Sequence, residues 1–240
     1  MAIGMGCLDV FFPRFCAGCK KEGTLWCTTC RETHPLQMVG GLCPFCESKG
    51  SWRTCQSCHR ETFLDGLMAL TWYADPAVRR VLTTWKYVGD QAAEEVVRCW
   101  IRQKADHLDR WCRDVVIVPV PLHKRKCRAR GFDQAQVMAQ MVAQEMGGEW
   151  ANILSRVRFT LPQAQRGGGE RMVGDLDDIF EVVGEVPDHI VLCDDVFTSG
   201  ATMDAAAKCL KDHGAKEVRG LVIAKGSVDH GTGSHVGSPA

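Results

Sequence analysis

The chain has 240 residues, 45% of them apolar, with 29 basic and 29 acidic residues and a formal net charge of zero. That length allows one or two domains, and the apolar share is that of an ordinary globular protein. A neutral balance excludes a chain-wide field for nucleic acid or an anionic membrane, and no apolar run reaches bilayer length.

The opening MAIGMGCLDVFF has neither a basic start nor a sustained apolar core. No leader is expected, and the location follows as cytoplasmic. Of the 14 cysteines, eight lie between positions 16 and 58, all in C-x-x-C pairs. A disulfide scaffold is seldom built wholly from close pairs, and a reducing compartment favours metal. One C-x-x-C turn sets two thiolates on one side of a tetrahedral ion, and a second turn completes the shell. Sulfur ligands favour zinc, with an iron–sulfur cluster as the alternative. Two sites are expected, Cys16/Cys19/Cys27/Cys30 and Cys43/Cys46/Cys55/Cys58, with an interleaved pairing left open. Four thiolates leave no position for water, so the role is structural, and so small a segment draws much of its folding energy from metal. Over residues 1–65 seven Arg or Lys face six acids, which makes no basic patch. Trp26, Phe45 and Trp52 could stack on bases, yet a core role is the safer reading. His34 and His59 read as surface residues. A boundary is expected near residue 65, with a second part over 66–225. The Gly- and Ser-rich residues 226–240 are expected to be a disordered tail.

Residues 59–110 read as helix-forming. Val78, Leu82 and Trp85 recur at helical spacing, as do Ala93, Val96, Val97, Trp100 and Ile101, on two helices parted by Gly89. These stripes read as core, which leaves Lys86-Tyr87 as the polar feature of interest. Residues 115–118 form a continuous apolar run, hence a buried parallel strand, ended by Pro119 and Pro121. Lys124, Arg125, Lys126, Arg128 and Arg130 follow in a basic turn. Positive charge just beyond a strand suits a pyrophosphate; the plain alternative is a solvated loop. A helix after Phe132 turns Val137, Met138, Met141 and Val142 inward. Residues 153–181 show no period, carry glycines at 167–169, and hold Arg156, Arg158, Arg166 and Arg171. A lid carrying arginine would close on pyrophosphate there.

Residues 189–202, HIVLCDDVFTSGAT, organise the rest. Ile190, Val191, Leu192 and Cys193 read as a buried strand with Asp194 and Asp195 at its carboxyl end. Thr198, Ser199, Gly200, Ala201 and Thr202 lead into a helix. Backbone N–H groups at such a loop and helix start favour an anion. The acids would repel phosphate, so they suit sugar hydroxyls or a hydrated Mg²⁺. The bland alternative is an ordinary strand-to-helix turn whose acids cap the helix. The run resembles the phosphoribosyl pyrophosphate (PRPP) signature of type I phosphoribosyltransferases.

The whole chain resembles the ComF family, phosphoribosyltransferase-like proteins linked to DNA uptake. The matching pieces are the cysteine knuckles, Lys86-Tyr87-x-Gly89, Val118-Pro119-Val120-Pro121, Arg130-Gly131-Phe132-x-Gln134-Ala135, Gln165, Arg171, Phe180 and residues 194–202. Asp133 and Gly174 stand where the family usually has Asn, and Ser199 where it usually has Thr. The resemblance implies an α/β fold: a twisted parallel sheet flanked by helices, of the type I phosphoribosyltransferase kind, with an N-terminal double zinc ribbon. It implies magnesium with PRPP, Asp194 and Asp195 on the ribose, and residues 198–202 on the 5-phosphate. Pro121, Lys86, Arg130 and Arg171 would complete the substrate site. Phosphoribosyl transfer is the first functional expectation. The alternative is a non-catalytic PRPP or nucleotide sensor that binds single-stranded DNA or a DNA-uptake partner. No base-recognition hood and no general base can be read.

Overall fold

The computed structural model describes residues 14–34, 36–158 and 179–226. The cysteine region comes first, and its two halves repeat one backbone design. Cys16 N–H donates to Lys21 O and Lys20 N–H to Cys16 O; likewise Cys43 N–H donates to Ser48 O and Glu47 N–H to Cys43 O. Lys20 and Glu47 both turn through positive φ, +66° and +57°. Helix α1 (Thr28–Thr33) follows the second knuckle of the first half.

Five parallel strands make the central sheet: β1 (Gly66–Trp72), β2 (Val116–Pro119), β3 (Glu149–Trp150), β6 (His189–Phe197) and β7 (Glu217–Lys225), in the spatial order β1-β7-β6-β2-β3. Strands β4 (Leu154–Arg156) and β5 (Phe180–Val182) form a separate antiparallel pair. Helices α2 (Pro76–Val88), α3 (Gln91–Gln103), α4 (Ala105–Trp111) and α6 (Gln134–Met146) cover one face of the sheet, and α7 (Ala201–Asp212) with the β4–β5 pair covers the other. Alternation along the strands feeds both layers. Val191 and Cys193 join the first apolar cluster, and Ile190 and Leu192 the second. Both faces are therefore apolar, as a doubly covered parallel sheet requires.

Three sequence expectations change. Residues 66–72 are a strand, although 59–110 read as helix-forming. Leu, Met and Ala favour helix in isolation, but here the run pairs with β7 on one side and is almost wholly buried. On its other side Leu67 N–H donates to Trp52 O and Val39 N–H to Ala69 O, so the cysteine region covers an edge that would otherwise be open. The basic stretch is a short helix, α5 (Lys124–Arg130), started by the His123 side chain accepting from Arg125 N–H and closed by Gly131 in the left-handed region. Its residues are good helix formers. Within 153–181, which read as aperiodic, β4 and β5 span three residues each, too few for a period to show.

The two helices parted by Gly89 stand as expected, Gly89 closing α2 at φ +62°. Pro119 lies inside β2 rather than after it. Ile117 O faces β3 and Val120 N–H faces β6, so position 119 turns its nitrogen beyond the end of β3, where no donor is missing.

Candidate functional site

The carboxyl edge of the sheet gathers most of the expected residues. Strand β6 runs on through Asp194 and Asp195 to Phe197, further than its apolar run suggested. Gly200 then caps α7 at φ +80°, a conformation that favours glycine. A Cβ there would stand 2.9 Å from Phe45 and would also strike the Phe197 ring. The loop and the first turn of α7 surround a small cleft of about 60 Å³, lined by Asp194, Thr198, Ser199, Gly200, Ala201 and Thr202 among others. Ser199 Oγ accepts from Ala201 N–H at 3.5 Å. The first N–H groups of this 12-residue helix have no intrahelical partner, an arrangement that suits an anion.

The two acids differ. By strand alternation they face opposite layers. Asp195 meets α2, where Lys86 Nζ donates to its Oδ2 at 2.8 Å. Asp194 Oδ1 accepts from Asp195 N–H at 2.8 Å. Burial, then the charge of Asp195, pushes the Asp194 carboxyl well above the ordinary carboxylate range. Burial works against the Lys86 ammonium, but Asp195 and Asp194 outweigh it and hold its pKa up.

Cations converge beside the acids. Arg130 Nη1 donates to Gln134 Oε1 at 3.0 Å, and Gln134 Nε2 donates to Lys86 O at 3.2 Å, which locks the ends of α5, α6 and α2 together. The Arg130 guanidinium lies 5.8 Å from the Tyr87 ring centre. Lys126 is lowered by burial and then by the charges of Arg156, Arg130 and Lys86, which places four cations within one another's fields. Arg156, from β4, also feels Asp194. Pro121 follows Val120, whose N–H donates to Cys193 O at 2.9 Å, so it stands next to the acid pair. Asp133 points inward. Its carboxylate accepts from Leu122, Ala135 and Gln136 N–H, fixing the turn after β2 to the start of α6. The departure from Asn at 133 therefore touches scaffold. Arg171, with Gln165, Arg166 and Gly174, lies outside the described residues.

The cysteines group sequentially. The Sγ atoms of Cys16, Cys19, Cys27 and Cys30 lie within 4.8 Å of one another, as do those of Cys43, Cys46, Cys55 and Cys58. This excludes the interleaved pairing. Sγ separations of 3.6 Å for Cys19–Cys27 and Cys46–Cys55 are close to the edge of a tetrahedron with Zn–S bonds of about 2.3 Å. Cys27 N–H points at Cys16 Sγ and Cys55 N–H at Cys43 Sγ, both at 3.4 Å, in the manner of thiolate acceptors. Both sets could hold zinc.

A family model for the phosphoribosyl transferase domain matches residues 137–233. The competence protein ComFC of Streptococcus pneumoniae is 24% identical over 204 residues, covering 83% of this chain and 87% of that protein. The DNA utilization protein YhgH of Salmonella typhi is 34% identical over 105 residues, 43% of this chain and 46% of that one. Among solved structures, a hypoxanthine phosphoribosyltransferase of Staphylococcus aureus overlaps with a TM-score of 0.36 at 11% identity, over 57% of this chain and 75% of that one. The chain is similar to ComF-type competence proteins and carries a region similar to the phosphoribosyl transferase domain.

The matched region holds the acid pair and the loop, while Lys86, Pro121 and Arg130 lie upstream of it. Three residues beside the acids were not singled out by sequence reasoning. Gln134 is only 2% exposed and bonds both Arg130 and Lys86; a polar residue at the start of an otherwise apolar helix face was its signal. Arg156 and Lys126 were read within a lid and a loop whose charges could meet pyrophosphate, and only the tertiary fold brings these two into the fields of Lys86, Arg130 and Asp194.

Proposed function

We propose that this chain binds PRPP at the carboxyl edge of its sheet and serves in DNA uptake. The 5-phosphate takes the cleft at residues 198–202. The ribose diol is held by Asp194 and Asp195, and the pyrophosphate lies toward Lys86, Arg130, Lys126 and Arg156, beside Pro121. Arg171 is proposed to reach the same group. The observation that carries this reading is the juxtaposition of that cation group with an acid pair and a helix-start anion cleft. One ligand presents a phosphate, a diol and a pyrophosphate together. The link to DNA uptake rests on the relatives, one a competence protein and one a DNA utilization protein.

Asp194 lines the cleft and Asp195 follows it on the strand, and carboxylates are the hard oxygen donors that suit a hydrated Mg²⁺ or a diol. Magnesium bound with PRPP would offset pyrophosphate charge. In transfer, the bond from C1′ to the pyrophosphate oxygen breaks with its electron pair on that oxygen, and an acceptor nitrogen bonds C1′. Lys86, kept protonated by Asp195, and the neighbouring guanidinium groups receive the charge that develops on the leaving group.

Calorimetry with PRPP and Mg²⁺, beside an assay of pyrophosphate release over a panel of bases, tests this. Binding with release, both lost in Asp194→Asn/Asp195→Asn, supports a transferase. Binding without release makes the protein a PRPP sensor. No heat with zinc-loaded, folded protein defeats the reading of the site.

A further inference from the structure

We infer that the second cysteine cluster is built to position the phosphate loop, and that Phe45 is the residue through which it acts. The inference rests on residues 198–202 being the phosphate socket. Phe45 sits inside the knuckle Cys43-Pro44-Phe45-Cys46 and meets Phe197 edge-on, with ring centres 6.0 Å apart and planes at 64°. Both rings press on Gly200, close enough that a single Cβ would strike them. The loop's height over the sheet is therefore set by a ring that belongs to the metal shell.

The knuckle does not need that ring for itself. In the first half of the repeat the same position is Gly18, where a Cβ would come within 2.8 Å of Cys30 Sγ. A bulky group appears only in the knuckle that faces the loop. The adjoining residue adds a second tie. Glu47 holds a left-handed backbone, φ +57°, and pairs with Lys225, a cation only 1% exposed. Lys225 is the register partner of Phe197 across β6 and β7, and its ammonium lies 6.0 Å from the Phe197 ring centre. A third tie follows the cluster. Phe63 and Leu64 N–H groups donate at 2.7 and 2.9 Å to the carboxylate of Asp204, in the first turn of α7. The loop is thus gripped at Phe197, at Gly200 and at the helix it opens. The first cluster does none of this. Its Trp26 packs edge-on against Trp100 of α3, in the layer on the opposite face.

Coupling between two sites is reciprocal in binding free energy. If zinc in the second shell sets the loop, PRPP in the loop must tighten that zinc. The experiment compares wild type, Phe45→Ala and Phe45→Leu, each at two zinc ions per chain. It reads PRPP affinity by calorimetry and zinc release to a chromogenic chelator with and without PRPP. Phe45→Ala should keep its zinc and bind PRPP about tenfold more weakly, with Phe45→Leu recovering most of the loss. In wild type, saturating PRPP should slow release of one of the two ions, and Phe45→Ala should lose that protection. Wild-type binding with an equal affinity in Phe45→Ala overturns the inference and leaves the phosphate socket standing. Should Phe45→Ala lose zinc, the wild-type release decides: two ions unaffected by bound PRPP overturn it. Absence of PRPP binding by wild type removes the socket and this inference with it.

Discussion

Asp194 carries a carboxyl at a place that resists its charge. Burial and the neighbouring Asp195 both favour its protonated form. Such a residue is kept for a ligand at a cost to the free protein. Asp194→Asn should therefore bind PRPP poorly yet melt higher than wild type, by about 2–4 °C. The sign follows from linkage. The folded state holds this proton more tightly than the unfolded chain, so folding gains nothing below the unfolded pKa of about 3.9, and stability declines as pH rises from there to the folded pKa. The variant has no such decline. Its advantage in thermal unfolding should be larger at pH 8 than at pH 5, and an advantage that is absent or shrinks with pH would contradict the assignment. Lys86 is the counterpart. It was legible as a polar residue next to Gly89, but its bond to Asp195, 109 positions away, was not.

Between elements, α7 lies close against β7. At Gly220 a Cβ would stand 2.5 Å from Met203 Sδ and 2.8 Å from Leu67 Cδ1. The missing side chain lets α7 lie close on the sheet, which sets where its first turn meets the loop at 198–202. Gly220→Val should cost about 1–3 kcal/mol by overpacking, read from urea unfolding, and PRPP affinity should fall with it as α7 is pushed out. Strands β2 and β6 were legible because burial on both faces writes an unbroken apolar run into the sequence. Strand β1 was hidden because Leu, Met and Ala suit helix equally well, and β4 and β5 because three residues carry no period. The basic helix α5 was hidden because its charges drew attention from its helix-forming backbone.

Across the whole molecule, the cysteine region is bound to the sheet more by apolar contact than by charge. Arg14–Asp90 and His34–Asp75 span the junction at 3.0 and 2.8 Å, but pairs of that exposure each contribute about 0–1 kcal/mol. Trp26, 2% exposed, shares one cluster with Trp85 and Trp100. The boundary near residue 65 is therefore proposed to mark a change in metal dependence rather than a separately folding unit. Metal at each structural site is worth about 10 kcal/mol of folding energy. Chelation should release two zinc ions per chain, shift tryptophan emission to the red as Trp26 leaves Trp100, and lower the melting temperature of the whole chain in one transition. A second transition at the original temperature would show that residues 66–225 stand alone. Among the described residues no helix is long and apolar enough to cross a membrane. The amino-acid sequence by itself determined the local pieces: the two cysteine quartets, the acid pair and the loop at 198–202. Each is local, because a knuckle, a strand end and a helix start are made within a few residues of chain. Only the tertiary structure decided that the quartets close sequentially, that Lys126 and Arg156 join Lys86 and Arg130 beside the acids, and that Phe45 stands behind Gly200. Those relations join segments scores of residues apart, and it is the layering of helices on a doubly buried sheet, which no local pattern encodes, that brings them into contact.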